Sequence, residues 1–311
     1  MFSNTFVERL ILLLVGTYLT YYITMEIMVK SGQLELETCD VSPKYNHLNL
    51  NQYEKMHVNS IIEPSVNNTT FDAIIGHTDL KLKIVENIFK PLQNLDMYKE
   101  TALLDPPNGI IMYGPPGTGK TMMARAIAKT IQCPFIVFSI HNIENKMFGE
   151  SAKILNGLFS LAKKLRPCVV FIDELDGFFG HRNAFDQSFV TGLKTQMLQH
   201  MDGIDKRTSD IIVIGATNLI ENIDKAVKRR MRLHIKIDLP DDETRKLMFT
   251  HHLKDMNLDC EKFVEKSRGL SGSDILEVCK AAAHNAVIKY DDYKKLDYNT
   301  LLHTLDDFCK T

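Results

Sequence analysis

Eight consecutive residues, Gly114-Pro115-Pro116-Gly117-Thr118-Gly119-Lys120-Thr121, carry the most specific chemistry in the sequence. Glycines at this spacing let backbone N–H groups curl around an anion, and a helix that starts at the end of the loop adds the positive end of its dipole. In such a loop Lys120 reaches the β- and γ-phosphates of a nucleotide, and the Thr121 hydroxyl is a ligand for Mg²⁺. The competing reading is an ordinary glycine turn. Two adjacent carboxylates, Asp173 and Glu174, end the apolar run Val169-Val-Phe-Ile. Asp173 is suited to holding Mg²⁺ and Glu174 to orienting and deprotonating an attacking water, against the alternative of a solvated acidic turn. Asn218, after Gly215-Ala-Thr, offers an amide that could bridge that water and a γ-phosphate, although Asn is also an ordinary turn residue. The cluster Lys228-Arg229-Arg230-Met-Arg232 reads either as a solvated basic face or as a source of arginine fingers acting on a neighbouring subunit's phosphoryl group.

These groups need elements to hold them. The loop follows the apolar run 109–113 and precedes the alanine-rich stretch 122–129, so strand, loop and helix are expected in that order. Further buried-strand patterns fall at 135–140, 168–172, 211–215 and 234–238, with a helix over 152–165. Strands alternating with helices predict an α/β fold with a doubly wound parallel sheet covered on both faces. Such sheets bind ligands beyond the carboxyl ends of their strands, which would bring Asp173 and Glu174 to the phosphate loop. Upstream, the spacing of apolar residues over 80–89 predicts a helix stopped by Pro91. Beyond Pro240 the strand signals cease, and helices are expected over 243–253, 273–290 and 299–308.

The amino terminus differs in kind. Residues 10–29 contain one charged side chain, Glu26, and as a helix would span about 30 Å, close to one hydrocarbon core. We read them as an uncleaved transmembrane anchor, with a cleaved signal peptide and a buried amphipathic helix as the competing readings. The expected organisation is therefore a membrane anchor at 1–30, a polar linker with one short helix at 31–70, a large α/β domain at 71–239 and a small helical lid domain at 240–311. The net charge of −2 gives no reason to expect nucleic acid as a partner. Six cysteines without C-x-x-C spacing suggest neither a zinc site nor a disulfide framework, and read as small buried side chains. Two overlapping glycosylation sequons at Asn67 and Asn68 are taken as chance matches.

Taken together, these motifs over 71–290 resemble the AAA ATPase superfamily, a P-loop NTPase fold. Within it they are nearest to the branch that holds katanin, spastin and the membrane-anchored extractases of the mitochondrial outer membrane and the peroxisome. The words carrying that likeness are Leu103-Leu-Asp-Pro-Pro-Asn-Gly-Ile-Ile-Met-Tyr-Gly114, Lys146-Met-Phe-Gly-Glu-Ser151 and Phe159-Ser-Leu-Ala-Lys-Lys-Leu-Arg-Pro-Cys168, together with an apolar N-terminus ahead of one such module. The resemblance implies ATP with Mg²⁺ as the nucleotide pair, and a homo-hexameric ring threading misplaced, tail-anchored membrane proteins through a central pore. It further implies Arg229 and Arg230 as fingers between subunits, and Gly76 and Gly272 as further nucleotide contacts. Met147 and Phe148 map to the substrate-gripping pore loop, with methionine where the family has an aromatic, and His181 and Arg182 map to a second loop. The implied placement is a membrane anchor with the ATPase in the cytosol, on the mitochondrial outer membrane, with peroxisome and endoplasmic reticulum left open. A spastin-like microtubule-severing ATPase and a non-hydrolysing nucleotide-dependent membrane scaffold are the competing functions.

Overall fold

Runs of Val, Ile and Phe without polar alternation make strands that bury both faces. They form β2 (Gly109–Tyr113), β3 (Phe135–Ser139), β4 (Cys168–Asp173), β5 (Ile211–Thr217) and β6 (Leu233–Lys236), in a computed structural model that describes residues 43–101, 106, 108–139, 150–179, 187–204, 210–256 and 258–309. The sheet order is β1-β3-β4-β5-β2-β6, where β1 is Ile61–Ile62. All neighbours are parallel except β1, which runs antiparallel to β3 with Ile61 opposite Ile136 and Ile62 opposite Phe135. The sheet is thus mixed rather than purely parallel. Its antiparallel edge lies in the stretch read as a linker, because two residues are too few to display a strand's alternation.

The chain divides into two compact units, Met1–Asn59 and Ser60–Thr311. In the first, a 3₁₀ turn at Pro43–Leu48 leads to α1 (Gln52–Val58). Asn51 Oδ1 accepts from the N–H groups of Tyr53 and Glu54, and the Glu54 carboxylate accepts from Asn51 N at 2.7 Å, a reciprocal cap that fixes where this helix starts. The proposed span at residues 10–29 lies outside the described residues. Among those described, no helix is long and apolar enough to cross a membrane.

In the second unit, α2 (Thr78–Ile84) passes through a π-helical turn at Val85–Phe89 into α3 (Lys90–Gln93), and α4 (Leu95–Glu100) follows. Pro91 therefore does not stop the helix. In a regular helix its ring would collide with the carbonyl four residues back. The wide turn, in which Lys90 N reaches Val85 O, shifts that register and lets the proline in.

Next come α5 (Lys120–Thr130), α6 (Glu150–Lys164), α7 (Leu175–Phe179), α8 (Gln187–Asp202) and α9 (Lys225–Arg230). One face of the sheet packs Ile110, Met112, Phe135, Val169 and Ile214 against Ala124 and Ile127 of α5 in a continuous core. Past Pro240 the chain is helical as expected: α10 (Asp242–His252), α11 (Glu261–Lys266), α12 (Gly272–Tyr290) and α13 (Tyr298–Phe308). These helices enclose their own core, with Phe249, Phe263, Ile275, Val278, Leu301 and Leu305 buried together. Four of the five described cysteines are buried, and burial pushes the thiols of Cys133, Cys168 and Cys279 up to about 12. Only Cys309 among them is exposed. Asn67 is also buried. Its amide donates to Arg125 O at 2.8 Å and its Oδ1 accepts from Thr69 N, so the side chain of the first sequon is in structural use.

Candidate nucleotide-binding site

The loop 114–119 joins the carboxyl end of β2 to the first turn of α5. Its three glycines have positive φ, 146° at Gly114, 73° at Gly117 and 95° at Gly119, a sequence of turns that side chains other than hydrogen oppose. Lys120 Nζ donates to Gly114 O and Pro115 O, both at 2.8 Å, and Thr118 Oγ1 donates to Pro115 O at 2.9 Å. The lysine thus ties the mouth of the loop while one of its three N–H donors remains for a phosphate oxygen. Burial lowers the Lys120 pKa from its ordinary value, and the nearby carboxylates of Asp173 and Asp176 oppose that shift. Those two carboxylates are therefore in electrostatic reach of the loop, as expected for strand ends that share one edge of the sheet.

Asp173 closes β4, and Glu174 turns the chain out of the sheet with φ of 51°, a left-handed conformation uncommon for a residue with a side chain. Glu174 N donates to Asp173 Oδ1 at 3.0 Å, and Glu174 O accepts from Gly177 N at the head of α7. The kink leaves the Glu174 side chain exposed at the strand end. Asn218 is exposed at the carboxyl end of β5, the strand between β4 and β2. Thr121 lies in the first turn of α5, beside the loop.

Gly272 meets the loop from elsewhere in the unit, and Gly76 meets the start of α10. A side chain at Gly76, φ 72°, would press on Thr244 Cγ2 at 2.3 Å, so the 76–77 turn is seated on the start of α10. A side chain at Gly117 would come within 2.3 Å of Ser271 Oγ, and Ser273 N donates to Gly117 O at 3.2 Å. The N-terminus of α12 therefore rests on the phosphate loop. Ser271 and Asp274 cap that helix reciprocally, with Ser271 N donating to Asp274 Oδ2 at 2.8 Å. Replacing Gly117 with alanine puts a methyl into this contact and into a disfavoured φ, at a cost of about 1–2 kcal/mol. Nucleotide affinity is expected to fall roughly tenfold with secondary structure intact, as titration of a fluorescent nucleotide and circular dichroism would read.

His77, next to Gly76, is also left-handed at φ 53°. Burial, and then Lys81, lower its pKa from the ordinary 6.5, while Asp241 and Asp238 oppose them. Burial likewise lowers His200 and His252. Because the unfolded chain then holds more protons, stability is full above pH 6.5 and declines as pH falls below it toward the native values. Melting temperature is expected to drop between about pH 7 and 5.5, with a shallower drop in His77→Gln.

Arg229 and Arg230 end α9, away from the loop of their own chain. A side chain placed on Gly109, the first residue of β2, would meet Arg230 O at 2.9 Å, whereas the loop starts past the other end of that strand at Gly114. Five residues of strand separate them, about 16 Å. Lys146, Met147, Phe148, Gly149, His181 and Arg182, assigned to pore loops on the sequence, lie outside the described residues.

The family profile described as "ATPase family associated with various cellular activities (AAA)" matches residues 110–241, from β2 through Asp241. The "Outer mitochondrial transmembrane helix translocase" of Homo sapiens is 34% identical over 249 residues, covering 78% of this chain and 69% of the relative. This chain belongs to the AAA ATPase family. Similar relatives include the protein of the same name in Danio rerio, 33% identical over 248 residues, or 78% of this chain and 65% of that one. The "Mitochondrial sorting homolog" of Caenorhabditis elegans is 35% identical over 216 residues, 68% of this chain and 63% of that one.

As an AAA ATPase the chain binds nucleotide and hydrolyses ATP. Its site has supports that the sequence did not advertise. Thr217 Oγ1 donates to Asp176 Oδ1 at 2.6 Å and accepts from Leu219 N, while Thr217 O accepts from Gly114 N at 3.3 Å. This threonine links β5, α7 and the phosphate loop. Its position next to Asn218 was the one available signal. Ser271 and Ser273 lie in the stretch 269–274, which the family resemblance implies as the small domain's contact with nucleotide, whereas Thr244 carried no signal.

Proposed function

We propose that this AAA ATPase works as a homo-hexameric translocase that pulls transmembrane helices of misplaced, tail-anchored proteins out of the mitochondrial outer membrane. The observation that carries the ring is the strand length between Arg229–Arg230 and their own phosphate loop. Guanidinium groups that cannot serve the nucleotide of their own chain serve a neighbour's, so each site is complete only between subunits. The names of the relatives supply the cargo class.

In this reading the backbone of 114–119 and Lys120 bind the phosphates, and Gly76 and Gly272 flank the nucleotide. The glycine cradle, the spare donor on Lys120 and the Asp173 carboxylate within electrostatic reach of Lys120 fit a magnesium nucleotide. Mg²⁺ held by Thr121 and Asp173 would neutralise phosphate charge. Glu174 takes a proton from water, Asn218 orients that water, and Arg229 with Arg230 faces the next subunit's site. Residues 71–239 act as the motor domain and 240–311 as the lid that α12 presses onto the loop. Met147, Phe148 and His181 line the pore. Residues 1–30 anchor the ring to the membrane, with 31–70 as the connection and the ATPase in the cytosol, which raises the local concentration of substrates.

The test is reconstitution of the full chain into liposomes with a single-helix reporter. ATP-dependent release of the reporter, lost in Glu174→Gln, is expected. ATP turnover at normal rate without release, across reporters of differing hydrophobicity, would overturn the translocase reading.

A further inference from the structure

Arg229 and Arg230 are adjacent in sequence and alike in chemistry, but their surroundings differ. Arg230 is fully engaged within its own chain. Its Nε donates to Asp202 Oδ1 at 2.8 Å, one terminal nitrogen donates to Asp202 Oδ2 at 2.7 Å, and the other donates to Ala226 O at 3.2 Å. This is the bidentate fork that gives an arginine–carboxylate pair its directionality. Arg229 is exposed, and among the described residues no hydrogen bond or ion pair engages its side chain. Both line a cavity of about 600 Å³ shared with Glu86, Asn87, Tyr98 and Asp202, so there is room in front of them for a group from outside the chain.

We infer that Asp202 is a positioning residue that divides the labour of this pair: Arg230 is the anchor, and Arg229 alone reaches the neighbouring subunit's nucleotide. The inference rests on the proposed action between subunits and sharpens it. Asp202 is the last residue of α8 and Arg230 the last of α9, so their fork clamps two helix ends together. On the core side α9 is fixed by Val227 and Met231, both fully buried. The clamp fixes the solvent side, and Arg229 takes its bearing from the two. For Arg230 to serve a phosphoryl group it would have to abandon two charge-assisted hydrogen bonds. It would also take its positive charge away from the Asp202 carboxylate in the presence of a polyphosphate, at the end of a helix whose dipole already disfavours negative charge. Kept in place, Arg230 neutralises Asp202 and makes the cavity hospitable to an anion.

The experiment compares full-length protein in lipid nanodiscs, reading kcat and KM for ATP with ring assembly by native mass spectrometry. Arg229→Ala is expected to lower kcat at least about a hundredfold in assembled rings with KM nearly unchanged. Arg230→Ala and Asp202→Asn should each lower kcat about tenfold, and combining them should cost no more than either alone, as for two residues acting as one unit. The exchange D202R with R230D should restore most of the turnover, since an anchor works in either polarity and a finger does not. A Arg230→Ala loss as deep as that of Arg229→Ala, with no rescue by the exchange, overturns the division of labour. Normal kcat in assembled rings of both Arg229→Ala and Arg230→Ala instead overturns action between subunits altogether.

Discussion

Replacing Glu174 with glutamine is expected to cut ATP turnover by a factor of about 10²–10⁴ while nucleotide still binds. The amide keeps the shape of the side chain and leaves undisturbed the backbone that places it. Glu174 N still donates to Asp173 Oδ1, and the left-handed φ of 51° still turns the chain off β4. What the amide lacks is basicity. In the proposed reading the phosphate contacts come from 114–121, so affinity is expected to change less than about threefold. Turnover by a coupled assay, beside titration of a fluorescent nucleotide, separates the two quantities. Turnover close to that of the unaltered protein would remove Glu174 from the chemistry and leave the exposed carboxylate as a turn residue.

The second large effect belongs to Lys120. Lys120→Ala is expected to weaken nucleotide binding at least about a hundredfold, because it removes both a phosphate donor and the cation that offsets phosphate charge at the loop. The same substitution should barely lower the melting temperature without nucleotide. The ammonium is half-buried at a desolvation cost that already lowers its pKa, so deleting it relieves roughly as much as the hydrogen bonds to Gly114 O and Pro115 O supplied. Added nucleotide stabilises the unaltered protein by mass action and should not stabilise the variant. Thermal melts with and without ATP therefore distinguish a lost ligand contact from a lost fold. A variant that melts early without nucleotide and still gains stability from ATP would contradict the assignment.

Much of this was legible in the sequence, and the parts that were not have definite causes. Strands such as Cys168–Asp173 and Ile211–Thr217 are apolar runs whose pattern survives without context. The phosphate loop is written in glycines whose positive φ values no other residue supplies as cheaply. Ile61–Ile62 was hidden because its two residues gain strand character only from β3 beside them. Pro91 misled because the general rule against proline in helices assumes an unbroken register, and the wide turn at Val85–Phe89 changes it. The Asp202–Arg230 fork joins residues 28 positions apart, and no local pattern reports such a pairing. Thr217 lies past the apolar pattern 211–215 and carried no signal of its own, and only the approach of Asp176 reveals it as a link.

The short antiparallel edge has a mechanical meaning. Besides pairing Ile61 and Ile62 with β3, the entering chain is fastened by Val137 N to Ser60 O at 3.0 Å, by Lys129 Nζ to Pro64 O at 2.7 Å and by Asn67 Nδ2 to Arg125 O at 2.8 Å. Arg125 and Lys129 belong to α5, the helix whose first turn contains Lys120 and Thr121. A tug on the backbone at Ser60 is therefore borne in part by the helix that starts from the glycine-rich loop. A load on the entering chain and a ligand at the glycine-rich loop would then act on one and the same helix, which can pass force from one to the other.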